Sequence, residues 1–358
     1  MTAPSDEPRP TDPQADPGLH ITHAPLPEPL DERRRWSPGR IALQILGMVI
    51  GLALLGWAVS LAMSDENAAA LKHIRNASPG PVALLALLSA TGIILNGLMF
   101  WIVLRPLHRL SALDTALTNA IAVCLAVLPF KLGLLVRVTI HHRRDGVSLK
   151  DMVAWFAAIS ALALAVLVPL AAAGLWRGRL DTLWWLTSAG GIVAISAAAL
   201  ACGRLSEHHR WLARLSLGSW RIVRHPAPIV AHGAFRIADI GVLSVRFVVA
   251  AAIAGQSLGF SDAVLFATVY FFLSAIVPTG NLGFREMGVA LVASRTGLDA
   301  PAMALIALIV TAGEWGTSLV LGSIGWLRLR PDRLLWGRRK KVKPISPSED
   351  PAACSGSA

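Results

Sequence analysis

Apolar residues run in long blocks along this chain, with neither the spaced pattern of a surface helix nor the alternation of a strand. Uncharged blocks at 41–63, 81–104, 152–176 and 182–203 are each long enough to cross a hydrocarbon layer of about 30 Å as a helix. Two further blocks, at about 230–256 and 300–327, are as long but carry charge. The first holds Arg236, Asp239 and Arg246, and the second holds Glu314 near its middle. Six full spans are therefore predicted. Two shorter apolar stretches are broken by helix-stopping residues: one ends in Leu128-Pro129, and the other runs into "IVPTGNLGFREMG" at 276–288.

Charge fixes the expected path of the chain. Arg33, Arg34, Arg35 and Arg40 precede the first span, and Arg338, Arg339, Lys340 and Lys341 follow the last. Lys and Arg favour the cytoplasmic side, so both termini are expected there. With six spans, each broken stretch must begin and end on the same side. The stretch within 105–150 is expected to dip in from the cytoplasm, and that within 257–299 from the outer face. The basic stretch 204–226 is expected to form an interfacial helix. Trp36, Trp101, Trp176, Trp184, Trp185, Trp211, Trp326 and Trp336 lie near block ends, as interfacial anchors do.

The two broken stretches repeat each other. Pro129 corresponds to Pro278, Leu132-Gly133 to Leu282-Gly283, and the run from Arg144 to Ser148 to the run from Arg295 to Asp299. The expected fold class is an all-α integral membrane protein with about six full spans and two re-entrant broken-helix hairpins, arranged as an inverted-topology repeat with halves 41–176 and 182–327. Non-helical backbone at membrane depth is tolerated only where it is buried in protein or lines a wet cavity. Paired broken segments in two halves point to a transport site. Pro129, Gly133, Pro278, Gly280 and Gly283 are the expected structural breaks. Ser148 and Asp299 are placed to cap the helices that follow.

Composition agrees. Of 358 residues, 54% are hydrophobic and 15% charged, which places the chain in a bilayer. The net charge of +11 is concentrated at block ends, so it reads as topology and attraction to anionic lipid, with no nucleic acid partner. Residues 1–40 are polar and Pro-rich, read as a disordered cytoplasmic tail. Residues 328–358 are a basic, then Ser/Pro-rich, tail. No cofactor or metal is expected, because no nucleotide loop, zinc spacing or Ser/His/Asp set appears. The pairs His141-His142 and His208-His209 read as basic interfacial patches.

At LPFKLGLLVR (Leu128 to Arg137) and PTGNLGFRE (Pro278 to Glu286) the chain resembles the flippase-like transmembrane domain of lysylphosphatidylglycerol synthase. Leu134 stands where that family commonly has an acid, and Thr279 and Asn281 depart from its Gly-rich second motif. The resemblance covers roughly 41–327. It implies translocation of an anionic, aminoacylated or polyprenyl-linked lipid between the leaflets of a bacterial inner membrane, without catalysis. Two other readings stay open: an intramembrane enzyme on a lipid-phosphate substrate, and a non-transporting membrane partner subunit. The expected partners are membrane lipid, and a membrane protein or a second copy of the chain.

The candidate substrate-binding residues are Arg137, Arg285, Lys131, Glu286, Glu314 and Asn281. Arg137 and Arg285 follow the two breaks and suit a phosphate. A charge at the bilayer centre costs about 2.5–3.5 kcal/mol on insertion scales, so Glu314 is expected to face the protein interior. Asp239 and Arg246, seven residues apart on one helix face, read as structural; the alternatives for these charges are an Arg–Asp or Arg–Glu pair gluing helices, and snorkelling of Arg236 to the cytoplasmic surface.

Overall fold

A computed structural model describes residues 38–126, 132–276 and 283–336. Pro129, Lys131, Pro278, Gly280 and Asn281 lie outside the described residues. The chain divides into a unit at 1–43, of which 38–43 are helical, and a unit at 44–358 that contains the remaining elements.

Every regular element among the described residues is helical. The α-helices are α1 (Pro38–Ala62), α2 (Ala68–Arg75), α3 (Pro79–Leu104), α4 (Ala112–Leu125), α5 (Leu132–Thr139), α6 (Leu149–Arg177), α7 (Thr182–Leu205), α8 (Arg210–Leu215), α9 (Trp220–Val223), α10 (Pro226–Ile253), α11 (Phe260–Ile276), α12 (Phe284–Thr296), α13 (Ala300–Leu329) and α14 (Pro331–Trp336), joined by a short 3-10 helix at Asp65–Asn67 and a π-helical turn at Ile140–Arg144. Within α1, α3, α6, α7 and α13 the apolar stretch is long enough to cross a membrane. The sixth expected span, α10, is long enough at 28 residues but is less apolar than the other five, because it carries Arg236, Asp239 and Arg246. The chain is thus an all-α membrane protein. Helices α4 and α11 are apolar but short.

Local chemistry sets the helix ends. Ser148 caps α6: its Oγ accepts from the Asp151 amide at 3.1 Å and donates to Asp151 Oδ2 at 2.8 Å. Asp299 occupies the corresponding position before α13 but makes no side-chain capping bond. Gly146 and Gly297 precede these two caps, with φ of 70° and 78°, a backbone region open to glycine at little cost. Asp181 caps α7 by accepting from the Trp184 amide. The Arg177 guanidinium beside it, helped by that amide, holds the Asp181 carboxyl well below the usual carboxylate range.

Two expectations are corrected at this level. The basic stretch 204–226 is not one interfacial helix. It breaks into α8 and α9, because Leu217 and Gly218 adopt left-handed backbone conformations, with φ of 51° and 84°. Its apolar side chains Trp211, Leu215 and Leu217 are nevertheless exposed. Trp184 is not an interfacial anchor: it is buried in the main core, edge-on to the exposed Trp185. Proximity to a block end did not distinguish these two neighbours, because adjacent helical residues point about 100° apart.

The main core joins α6, α10, α11 and α13 through Leu167, Phe247, Phe266, Tyr270 and Ile306. Helix α3 packs along α10. Each short helix then bridges the two halves: α4 packs on α3 and α13, while α11 packs on α10 and α6. Small residues permit these approaches. A Cβ at Gly97 of α3 would lie 2.5 Å from the Ala116 Cα of α4.

Candidate functional site

In the first half, α5 begins just past the break. Gly133 lies flush against α4, where a Cβ would come 2.1 Å from the Ala122 carbonyl oxygen. One turn later Arg137 is buried. Its guanidinium donates to Asn119 Oδ1 on α4, and Asn119 Nδ2 in turn donates to the Ile93 carbonyl of α3 at 2.9 Å. The Phe100 ring covers one guanidinium face, with Cζ 3.6 Å from the ring centroid. This is a cation–π contact of the kind that gains strength away from water.

In the second half, Gly283 precedes α12 with φ of 79° and packs so close to α1 that a Cβ would lie 2.2 Å from the Gly51 carbonyl oxygen. Arg285 and Glu286 follow in the first turn and are both buried. Arg285 sits over Tyr270, with Cζ 4.4 Å from the ring centroid, and its Nη1 is 3.6 Å from Glu314 Oε1. Its Nε is 4.0 Å from Glu286 Oε1. Glu286 accepts from Thr311 Oγ1 at 2.6 Å. The Thr311 hydroxyl has one proton, so it accepts from the Tyr270 hydroxyl at 3.0 Å.

Helix α10 adds a third group. Arg246 Nη2 donates to the Val310 carbonyl at 3.0 Å and lies 3.4 Å from Glu314 Oε2. Glu314 therefore bridges Arg246 and Arg285. Nearly three turns earlier on α10, Arg236 Nη1 donates to Asp239 Oδ2 at 3.1 Å. The Nε atoms of Arg236, Arg246 and Arg285, and Glu286 Oε2, are buried without a partner among the described residues.

These groups meet on one cavity of about 470 Å³. Arg137, Arg236, Arg246 and Arg285 line it with Asp239 and Glu314, among Asn96, Phe100, Asn119 and Phe271. Ala126 and Gly133, flanking the first break, and Ala275, just before the second, also line it. With four arginines against two carboxylates, the wall favours an anion.

Arg137, Arg285 and Glu314 thus share the cavity, and Gly133 and Gly283 are the close-packed glycines beside the two breaks. Glu286 is fully buried and does not reach the cavity wall; it braces Arg285 from behind. Lys131 and Asn281 lie outside the described residues. Arg236 does not snorkel: it is buried and paired on the cavity wall. Arg246 pairs with Glu314 on α13, whereas Asp239 takes Arg236. His141 does not belong to a surface patch. It is buried in the π-helical turn Ile140–Arg144, bonded to Asp145 at 2.7 Å and edge-on to Trp155.

Asn119, Phe100, Tyr270 and Thr311 were not anticipated. Tyr270 did carry a signal as the single tyrosine of the chain, and Asn119 as an amide within an apolar stretch.

Neither the curated proteins nor the solved structures yield a match to this chain. The family model described as lysylphosphatidylglycerol synthase TM region matches residues 44–322. The chain therefore belongs to the lysylphosphatidylglycerol synthase TM-region family.

Proposed function

We propose that this protein is a flippase-like transporter that moves an anionic, aminoacylated or polyprenyl-linked lipid between the leaflets of a bacterial inner membrane. In this reading both termini are cytoplasmic, α10 is the sixth span, and the two broken hairpins enter from opposite faces as an inverted repeat. The observation that carries it is the shared cavity: Arg137 from the first half and Arg285 from the second line one space beside both breaks. Buried arginines are costly in a bilayer unless they serve a wet path or a bound charge. Arginine suits a phosphate because its planar fork holds two oxygens at once. The N-terminal ends of α5 and α12 add about 0.3–1 kcal/mol each toward an anion.

The test is lipid transport in reconstituted vesicles with Arg137→Ala and Arg285→Ala, each checked for folding. Loss of a charge-assisted contact is worth about 1.5–3 kcal/mol, so a fall of at least about tenfold is expected for each. Arg285→Lys should recover only part of the rate. Folded variants that move lipid at the wild-type rate would make these arginines structural and sink the proposal.

A further inference from the structure

The cavity is uneven in charge. Arg236 faces Asp239 at 3.1 Å, and Arg246 and Arg285 share Glu314 at 3.4 and 3.6 Å. Of the four arginines, Arg137 alone has no carboxylate within ion-pair distance among the described residues. Its acceptor is the neutral oxygen of Asn119. The orientation of that amide is settled by its other end. Nδ2 has to face the Ile93 carbonyl, 2.9 Å away, so Oδ1 has to face Arg137. The Asn119 side chain therefore aims the guanidinium without neutralising it. Phe100 covers one face at 3.6 Å. The guanidinium lines the cavity, and its other N–H groups make no hydrogen bond among the described residues. A planar fork fixed on one edge and one face, with charge left over, is suited to holding a two-oxygen anion.

The geometry points to Arg137, aimed by Asn119 and Phe100, as the phosphate subsite of this cavity. Glu314 is then the internal counter-ion that occupies Arg246 and Arg285 in the anion's place. The inference rests on the transport reading for the source of the phosphate, a lipid head group, but not for the subsite itself. If instead Arg137 only ties α5 to α3 and α4, its charge is incidental and any acceptor at 119 serves equally.

The experiment is calorimetric binding to the full chain in a neutral detergent, with two probes: soluble dihexanoyl phosphatidylglycerol and inorganic phosphate. Asn119→Asp sets a fixed carboxylate against Arg137 and is expected to weaken lipid binding at least about tenfold. Asn119→Ala loses both hydrogen bonds of the amide but leaves the Arg137 charge free, and is expected to weaken it only about two- to threefold. A purely structural tie gives the reverse order, because alanine loses more contacts than aspartate. Asn119→Asp also forfeits the bond to Ile93, so Glu314→Gln is measured beside it. That variant removes the internal counter-ion and is expected to bind either probe more tightly, a gain that loss of stability does not produce. Tighter binding of the lipid than of phosphate assigns the subsite to a head group. Equal binding supports an oxyanion subsite filled from either source. No binding of either probe by the wild type, Asn119→Ala as damaging as Asn119→Asp, or weaker binding in Glu314→Gln overturns the inference. Binding as expected with no lipid transport in vesicles leaves the subsite standing and overturns the transport reading.

Discussion

At the scale of single residues, the cost of burying charge decides what each neighbour must be. Glu286 is wholly buried, and its hydrogen bond among the described residues comes from Thr311, which Tyr270 supports from the other side. Replacing Thr311 by Val removes the donor to a buried carboxylate, whose Oε2 already has no partner among the described residues. Leaving a buried acceptor unsatisfied costs about 1–3 kcal/mol, and more for a charged group. Tyr270→Phe removes only the outer link and keeps the Thr311 bond, for about 0.5–1.5 kcal/mol. Thermal unfolding in detergent should therefore rank Thr311→Val well below Tyr270→Phe, with the wild type above both. The reverse ranking would mean that Glu286 draws its support from elsewhere. The sequence made Arg285, Glu286 and Glu314 visible, because charge inside an apolar tract stands out. It hid Thr311 and Tyr270, because they meet 41 positions apart and nothing local marks a tertiary pair. The partner of Arg137 was hidden for the same reason: Asn119 is 18 residues away, on the other side of a break.

Among the helices, the two long ones that follow the breaks begin alike in sequence but not in bonding. Both are preceded by a glycine with positive φ, Gly146 or Gly297, and by a residue suited to capping. Ser148 makes the cap, while Asp299 makes no side-chain capping bond. Ser148→Ala should cost about 1 kcal/mol, and Asp299→Ala clearly less, read as the difference between their unfolding midpoints. Equal losses would show that position, not the hydrogen bond, sets the stability of these starts. Element boundaries were largely legible, since apolar block length tracks helix length for α3, α6, α7 and α13. Helix α10 was legible as a helix, but the use of its charged face was not. An Arg–Asp or an Arg–Glu pair gluing helices was expected of it, and the fold decides between them: Glu314 of α13 takes Arg246, and Asp239 takes Arg236.

Taken whole, the unit from residue 44 onward is bound together by exchange. Helix α4 belongs to the first half but rests on α13 of the second, and α11 of the second half rests on α6 of the first. Helices α3 and α10 lie side by side between them, and Gly92 of α3 brings its backbone close to Asp239 and Arg246 of α10. Paired motifs made a repeat expected but gave no hint of this crossing of partners, because a repeat in sequence does not say which copy a helix leans on. The crossing has a consequence for how the chain can be divided. A fragment ending at residue 178 would keep α4 but lose its bed, and would lay Arg137 and its amide open to lipid. The complementary fragment would do the same to α11 and the Glu314 bridge. Expressed alone, each piece should be degraded or aggregate. Expressed together, the two should co-purify and regain the unfolding midpoint of the intact chain to within a few degrees. Survival of either piece as a folded monomer would refute this mutual dependence. A protein built this way is inherited or lost as one piece: damage to either half is damage to both.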